Sequence, residues 1–165
     1  MSARLTTAIR ISKVAKAVLR KTQSFPDQAF GEPEHRRDLN EIGVEPMLLA
    51  LAMELALKAW IVFDHDDPAV IRDHKLIKLF EKLKPESQEK LDAVFKSTVA
   101  PHHPSGFYVD YSIRHVLFQH QDAFIDWRYI HESGKSKSFE RGVFVATLEM
   151  VLGEFDKRYF EVPCT

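Results

Sequence analysis

The sequence predicts an all-α fold, a mainly antiparallel bundle of five to six helices forming one domain over residues 1–165. Three observations lead there. Apolar residues recur at three-to-four spacing through most of the chain, the period that gives an α-helix a single buried stripe. Glycine is scarce, with 6 residues in 165, too few for the many tight turns of a β-sandwich or barrel. The composition, 45% apolar and 28% charged, can fill a sizeable interior and still cover the outside with solvated groups, which argues against global disorder. At this length one core is the economical reading.

The first helix is expected over Ser2 to Thr22. Leu5, Ala8, Ile11, Ala15, Val18 and Leu19 form its apolar stripe, and Arg10, Lys13, Lys16, Arg20 and Lys21 project within a limited arc on another face,. Residues 1–26 hold six bases and no acid, whereas residues 27–67 hold ten acids against three bases. Residues 24–43, with Pro26, Gly31 and Pro33, have no clear period and read as an irregular connection,. The bundle core is then expected over residues 46–160. Its central helix runs from Pro46 to Phe63 and is apolar almost all round, with Glu45 at the positive end of its dipole,. A third helix lies within Pro68 to Leu83 and a fourth over Glu86 to Lys96, separated by Pro85,. The stretch from Thr98 to Tyr108, with Pro101, Pro104 and Gly106, reads as a surface loop,. A fifth helix is expected from Asp110 to Glu132, with Ile113, Val116, Leu117, Phe124 and Trp127 on one stripe and Gly134 as its stop,. Ser138 is placed to cap the last helix, whose core face is Phe144, Leu148, Val151, Phe155 and Tyr159,.

Several function classes fall away. The lone cysteine, Cys164, leaves no intrachain disulfide and no evident thiol nucleophile, and the chain reads as cytoplasmic,. Glu54 and Lys58 interrupt the most apolar run, so it reads as a core helix and no membrane association is expected,. The acid-free N-terminus superficially resembles a mitochondrial presequence, but the rest of the chain does not demand an organelle,. A net charge of −1 gives the whole molecule no strong field for nucleic acid, so any such attraction must be local,. There is no glycine-rich phosphate loop and no GxSxG elbow, and no cofactor is implied,.

Three segments carry a resemblance to a known superfamily. "LALAMELALKAW" is a long core helix. "DHKLIKLFEKL" looks like a "GHDLxxLfxxL" element, with His74 and Leu76 matching while Asp73 and Lys75 replace its glycine and aspartate. "HQDAFIDWRYIHE" is similar to a "naFxxWRYxxE" helix. Together they resemble the HEPN superfamily of higher-eukaryote and prokaryote nucleotide-binding domains, over roughly residues 40–160. The resemblance implies a small helical bundle associated with RNA or nucleotides, acting as a metal-independent RNase or an inactive relative, and often dimeric across the site. Members with RNase activity carry an arginine and a histidine four to six residues apart; Arg114 and His120 satisfy that spacing as a phosphate-binding and a cleaving residue. On one ideal helix the two would point about 120° apart, so convergence requires a broken turn or a second copy. The alternative is a non-catalytic module that binds a protein partner or itself.

Other constellations favour structural roles. Glu54 and Lys58, four residues apart in an apolar helix, suit a polar ligand site in the core or, preferably, a buried network with Arg128 across two helices. His102 and His103 share a loop with His115 downstream, and His120 and His131 share one helical face, but neither spacing makes a metal site,. Lys13, Lys16 and Arg20 form the best surface for an anionic partner, although a solvated face, or pairing with the acidic residues 27–67, is preferred.

Overall fold

The computed structural model of the chain describes residues 3–25, 43–65, 72–102, 110–129, 132 and 138–160, and among these it is helical with no strand. The helices are α1 (Ala3–Gln23), α2 (Val44–His65), α3 (Leu76–Glu81), α4 (Pro85–Thr98), α5 (Ile113–Gln119), α6 (Ala123–Arg128) and α7 (Arg141–Phe160), with a 3-10 turn at Ala100–His102 after α4. The connection expected at residues 24–43 lies almost wholly outside the described residues, as do His103, Pro104, Gly106, His131, Gly134 and Cys164.

The central helix is α2. It is long and apolar enough to cross a membrane, and most of that surface is buried inside the fold, packed against α1, α3, α6 and α7. Leu49, Ala52, Met53, Leu57, Ala59 and Trp60 are fully excluded from water, each large side chain among them contributing about 1.5–3 kcal/mol of transfer free energy. Alanines at positions 50, 52, 56 and 59 are buried as well, leaving room for neighbouring helices to approach closely. Gly43 begins the helix at φ 97°, a left-handed conformation that a side chain would strain, and its carbonyl accepts the Met47 N–H,.

Helix directions follow from the contacts. Lys16 reaches Asp156 and Gln23 reaches Glu149, so α1 and α7 are antiparallel; α4 and α7 are likewise, through Ser87 with Arg158 and Lys90 with Glu154. By contrast, Glu45 meets Arg141, Trp60 donates to the Val151 carbonyl and Asp64 meets Arg158. The long helices α2 and α7 therefore run parallel, an exception to the mainly antiparallel bundle expected.

The sharpest departure is the fifth helix. Instead of one rod from Asp110 to Glu132, it is two short helices broken at residues 120–122. The His120 ring donates back to the carbonyl of Val116, and the freed carbonyl of Gln121 accepts the N–H of Leu76 at the start of α3. One side-chain bond within the helix and one tertiary backbone bond thus replace the missing helical ones,. Phe124 and Trp127 consequently leave the stripe of Ile113, Val116 and Leu117 and are only partly buried. At α7 the last helix begins later than expected, and Glu140 rather than Ser138 accepts the first helical bond, from Phe144 N–H.

A buried polar cluster joins three helices. The Asp64 side chain, 0% exposed, pairs with Arg158 at 2.9 Å. It also accepts the backbone N–H of Lys84 at 2.9 Å and the hydroxyl of Ser87 at 2.9 Å, while Arg158 donates to Ser87 Oγ. The guanidinium lies over Trp60 and Phe63, with centroids at 5.1 and 5.2 Å. Asp64 thus sits at the N-terminus of α4, where a carboxylate is favoured. Replacing Arg158 by Met strands a buried carboxylate and should lower unfolding free energy by about 3 kcal/mol or more, measured by urea denaturation; Arg128→Met, at an exposed position, should stay within about 0.5 kcal/mol.

Candidate functional site

Arg114 and His120 do not converge. Arg114 is half exposed on α5, its guanidinium donating to Gln88 Oε1 at 2.5 Å, 3.4 Å from Glu81 and stacked over Phe80 at 5.3 Å. His120, only 3% exposed, sits past the end of the same helix. Its Nδ1 faces the Val116 carbonyl at 2.9 Å, which can only accept; its Nε2 faces the Glu140 N–H at 3.2 Å, which can only donate. The ring is therefore neutral, with the proton on Nδ1 and both nitrogens engaged. Phe139 and Phe144 close on it edge to face at 4.9 and 5.2 Å,. Burial pushes the imidazole pKa below its usual 6.5, against the Val116 hydrogen bond and the Glu140 charge, which act the other way,. This is a histidine that ties the α5–α6 break to the start of α7.

Arg114 instead lines an open groove of about 580 Å³, together with Ile77, Tyr111, Ser112, His115, Phe118 and Gln119. Phe118 is 63% exposed there. His115 is fixed by the chain start of α5: its Nδ1 accepts the Ser112 N–H at 3.2 Å and lies 2.9 Å from the Ser112 hydroxyl. Its Nε2 therefore carries the proton. Nothing in the spacing of Tyr111, His115 and Phe118 announces this groove, because it depends on α3 lying beside α5.

The network expected around Glu54 forms with a different partner. Glu54, 5% exposed, accepts from Lys58 at 2.6 Å and from His74 Nδ1 at 3.0 Å. Arg128 is exposed and lies over Tyr129 at 5.3 Å, away from the carboxylate. Because α6 is a separate short helix, its register no longer follows α5, and the position of Arg128 could not be extrapolated along one rod. The His74 ring, half exposed, stacks on Phe124 with an interplanar angle of 20°.

On α1, Lys13 and Arg20 are exposed. Lys16 is engaged: its ammonium lies 2.5 and 2.6 Å from the two oxygens of Asp156 on α7. No group of three or more potential metal-ligating side chains gathers among the described residues.

The neutral His120 makes a pH prediction. Its folded pKa is depressed, so the unfolded chain takes up the proton first; the associated stability is complete above about pH 6.5 and declines as the pH falls below it,. Thermal melts between about pH 8 and 5 should show this loss in the wild type and a shallower one in His120→Gln. Equal slopes would mean that His120 is not held neutral. No family model matches the chain, and no curated protein or solved structure is significantly similar to it.

Proposed function

We propose that this chain is a HEPN-like bundle that binds RNA or a nucleotide and does not cut it with Arg114 and His120. The observation that carries the reading is the separation of those two residues, one on an open groove and the other walled in with both ring nitrogens engaged. Cleavage by a positioned imidazole requires a nitrogen within hydrogen-bond reach of the reacting group, and His120 has none to offer. Binding asks for less. A base can stack on the exposed ring of Phe118, with Arg114 and the His115 Nε2–H beside it for phosphate or ribose oxygens; such stacking is worth about 1–3 kcal/mol per base. Lys13 and Arg20 add a cationic surface on α1,.

Fluorescence anisotropy with a labelled single-stranded oligoribonucleotide tests this. Affinity should fall steeply with salt, drop about fivefold or more in Phe118→Ala and Arg114→Ala, and lose part of its salt dependence in the Lys13→Ala, Arg20→Ala double variant. The RNA should stay intact throughout. Cleavage by the wild type that disappears in a folded His120→Gln variant would overturn the reading. A second reading, a non-catalytic module that binds a protein partner or a second copy, is favoured by the exposure of Phe118, Ile125 and Tyr129, at 63%, 45% and 44%. Absence of RNA binding together with self-association in sedimentation would select it.

A further inference from the structure

Glu54 and His74 form an arrangement that the function above does not use. The carboxylate is buried, 5% exposed, and Lys58 lies 2.6 Å from one oxygen. Both oxygens face His74 Nδ1, at 3.1 and 3.0 Å, so the ring proton sits on Nδ1 and the lone pair is left on Nε2. That nitrogen has no hydrogen-bond partner among the described residues, and the side chain is 51% exposed. Phe124 stacks on the ring and limits its rotation. A buried acid that fixes the tautomer of an outward-facing imidazole is the arrangement that prepares a nucleophile or base. His65, His115 and His120 differ. His65 Nε2 is engaged by the Lys82 carbonyl at 2.6 Å, His115 accepts on Nδ1, and both His120 nitrogens are occupied.

The surroundings select an anionic electrophile. Arg72 and Lys78 are exposed cations within four residues of His74, while Lys75 pairs with Asp122 at 3.4 Å and Asp73 with Lys82 at 3.4 Å, and exposed cations draw a phosphoryl group. We propose that His74 accepts a phosphoryl group on Nε2 from a phosphoramidate-type donor, such as a phosphorylated histidine of a partner protein. The Nε2 lone pair attacks phosphorus, the donor P–N bond breaks, and its electron pair leaves with the donor nitrogen. A new P–N bond forms on His74. The Nδ1 proton stays in place, and Glu54 balances the positive ring that results. Glu54 is here a positioning residue.

The test is incubation of the full chain with potassium phosphoramidate, followed by phosphorus NMR and site mapping by mass spectrometry at neutral pH. The label should be acid-labile and should accumulate on His74 about tenfold or more faster than on the exposed His102 and His115 of the same molecules. In Glu54→Gln the His74 rate should fall by about 10-fold to 100-fold, the usual effect of losing a histidine's orienting partner, while the His102 rate is unchanged, and nitrogen NMR should show mixed His74 tautomers. His74→Gln should abolish that label. Equal rates at His74 and His102 in the wild type would overturn the proposal whether or not Glu54→Gln folds. So would a His74 rate unaffected in a folded Glu54→Gln variant.

Discussion

The architecture depends on a helix that is apolar nearly all round and still carries three buried carboxylates. Glu45, Glu54 and Asp64 are spaced along α2 from its first turn to its last, and each needs a positive partner, since an uncompensated buried charge costs several kcal/mol. Arg141 serves Glu45, Lys58 serves Glu54, to which the neutral His74 adds a hydrogen bond, and Arg158 serves Asp64. Two of those partners come from α7. The apolar surface supplies most of the stabilisation, but it is non-directional. The ion pairs decide which way α7 runs and where it stops along α2.

The same requirement explains why Asp64 looks unremarkable in sequence and central in three dimensions. In sequence it is merely the residue after the apolar run that ends at Phe63. In the fold it receives Lys84 N–H, Ser87 and Arg158, joining α2, α4 and α7. Glu54, by contrast, is visible at once as a charge in an apolar helix, and the need for a buried partner is legible with it. The identity of that partner is not, because His74 approaches from the segment before α3, at a sequence separation no periodicity encodes.

The helical elements themselves were largely legible. The boundaries of α1, α2, α4 and α7 fall within a few residues of those expected from apolar spacing, since the burial of a stripe and its three-to-four period have one cause. The break between α5 and α6 was not, because residues 119–123 contain neither glycine nor proline. It is made by a side chain that bonds to its own helix and by the N–H of Leu76 from elsewhere in the chain. The candidate pair Arg114 and His120 straddles that break, which is why its spacing, sound on paper, did not translate into proximity. The two informative histidines therefore have opposite settings: His120 is enclosed between aromatic rings, and His74 is held from behind with its outer nitrogen open.

The pairs Glu45 with Arg141 and Asp64 with Arg158 also act as a ruler. They are separated by 64 − 45 = 19 positions on α2 and 158 − 141 = 17 on α7, or about 28 and 26 Å at 1.5 Å per residue. One residue added to α7 between its two arginines would swing everything beyond it by about 100°, carrying the Arg158 guanidinium off Asp64, off Ser87 and off two aromatic faces together. The lengths of these two rods are thereby locked to each other, so that a change in one has to be matched in the other.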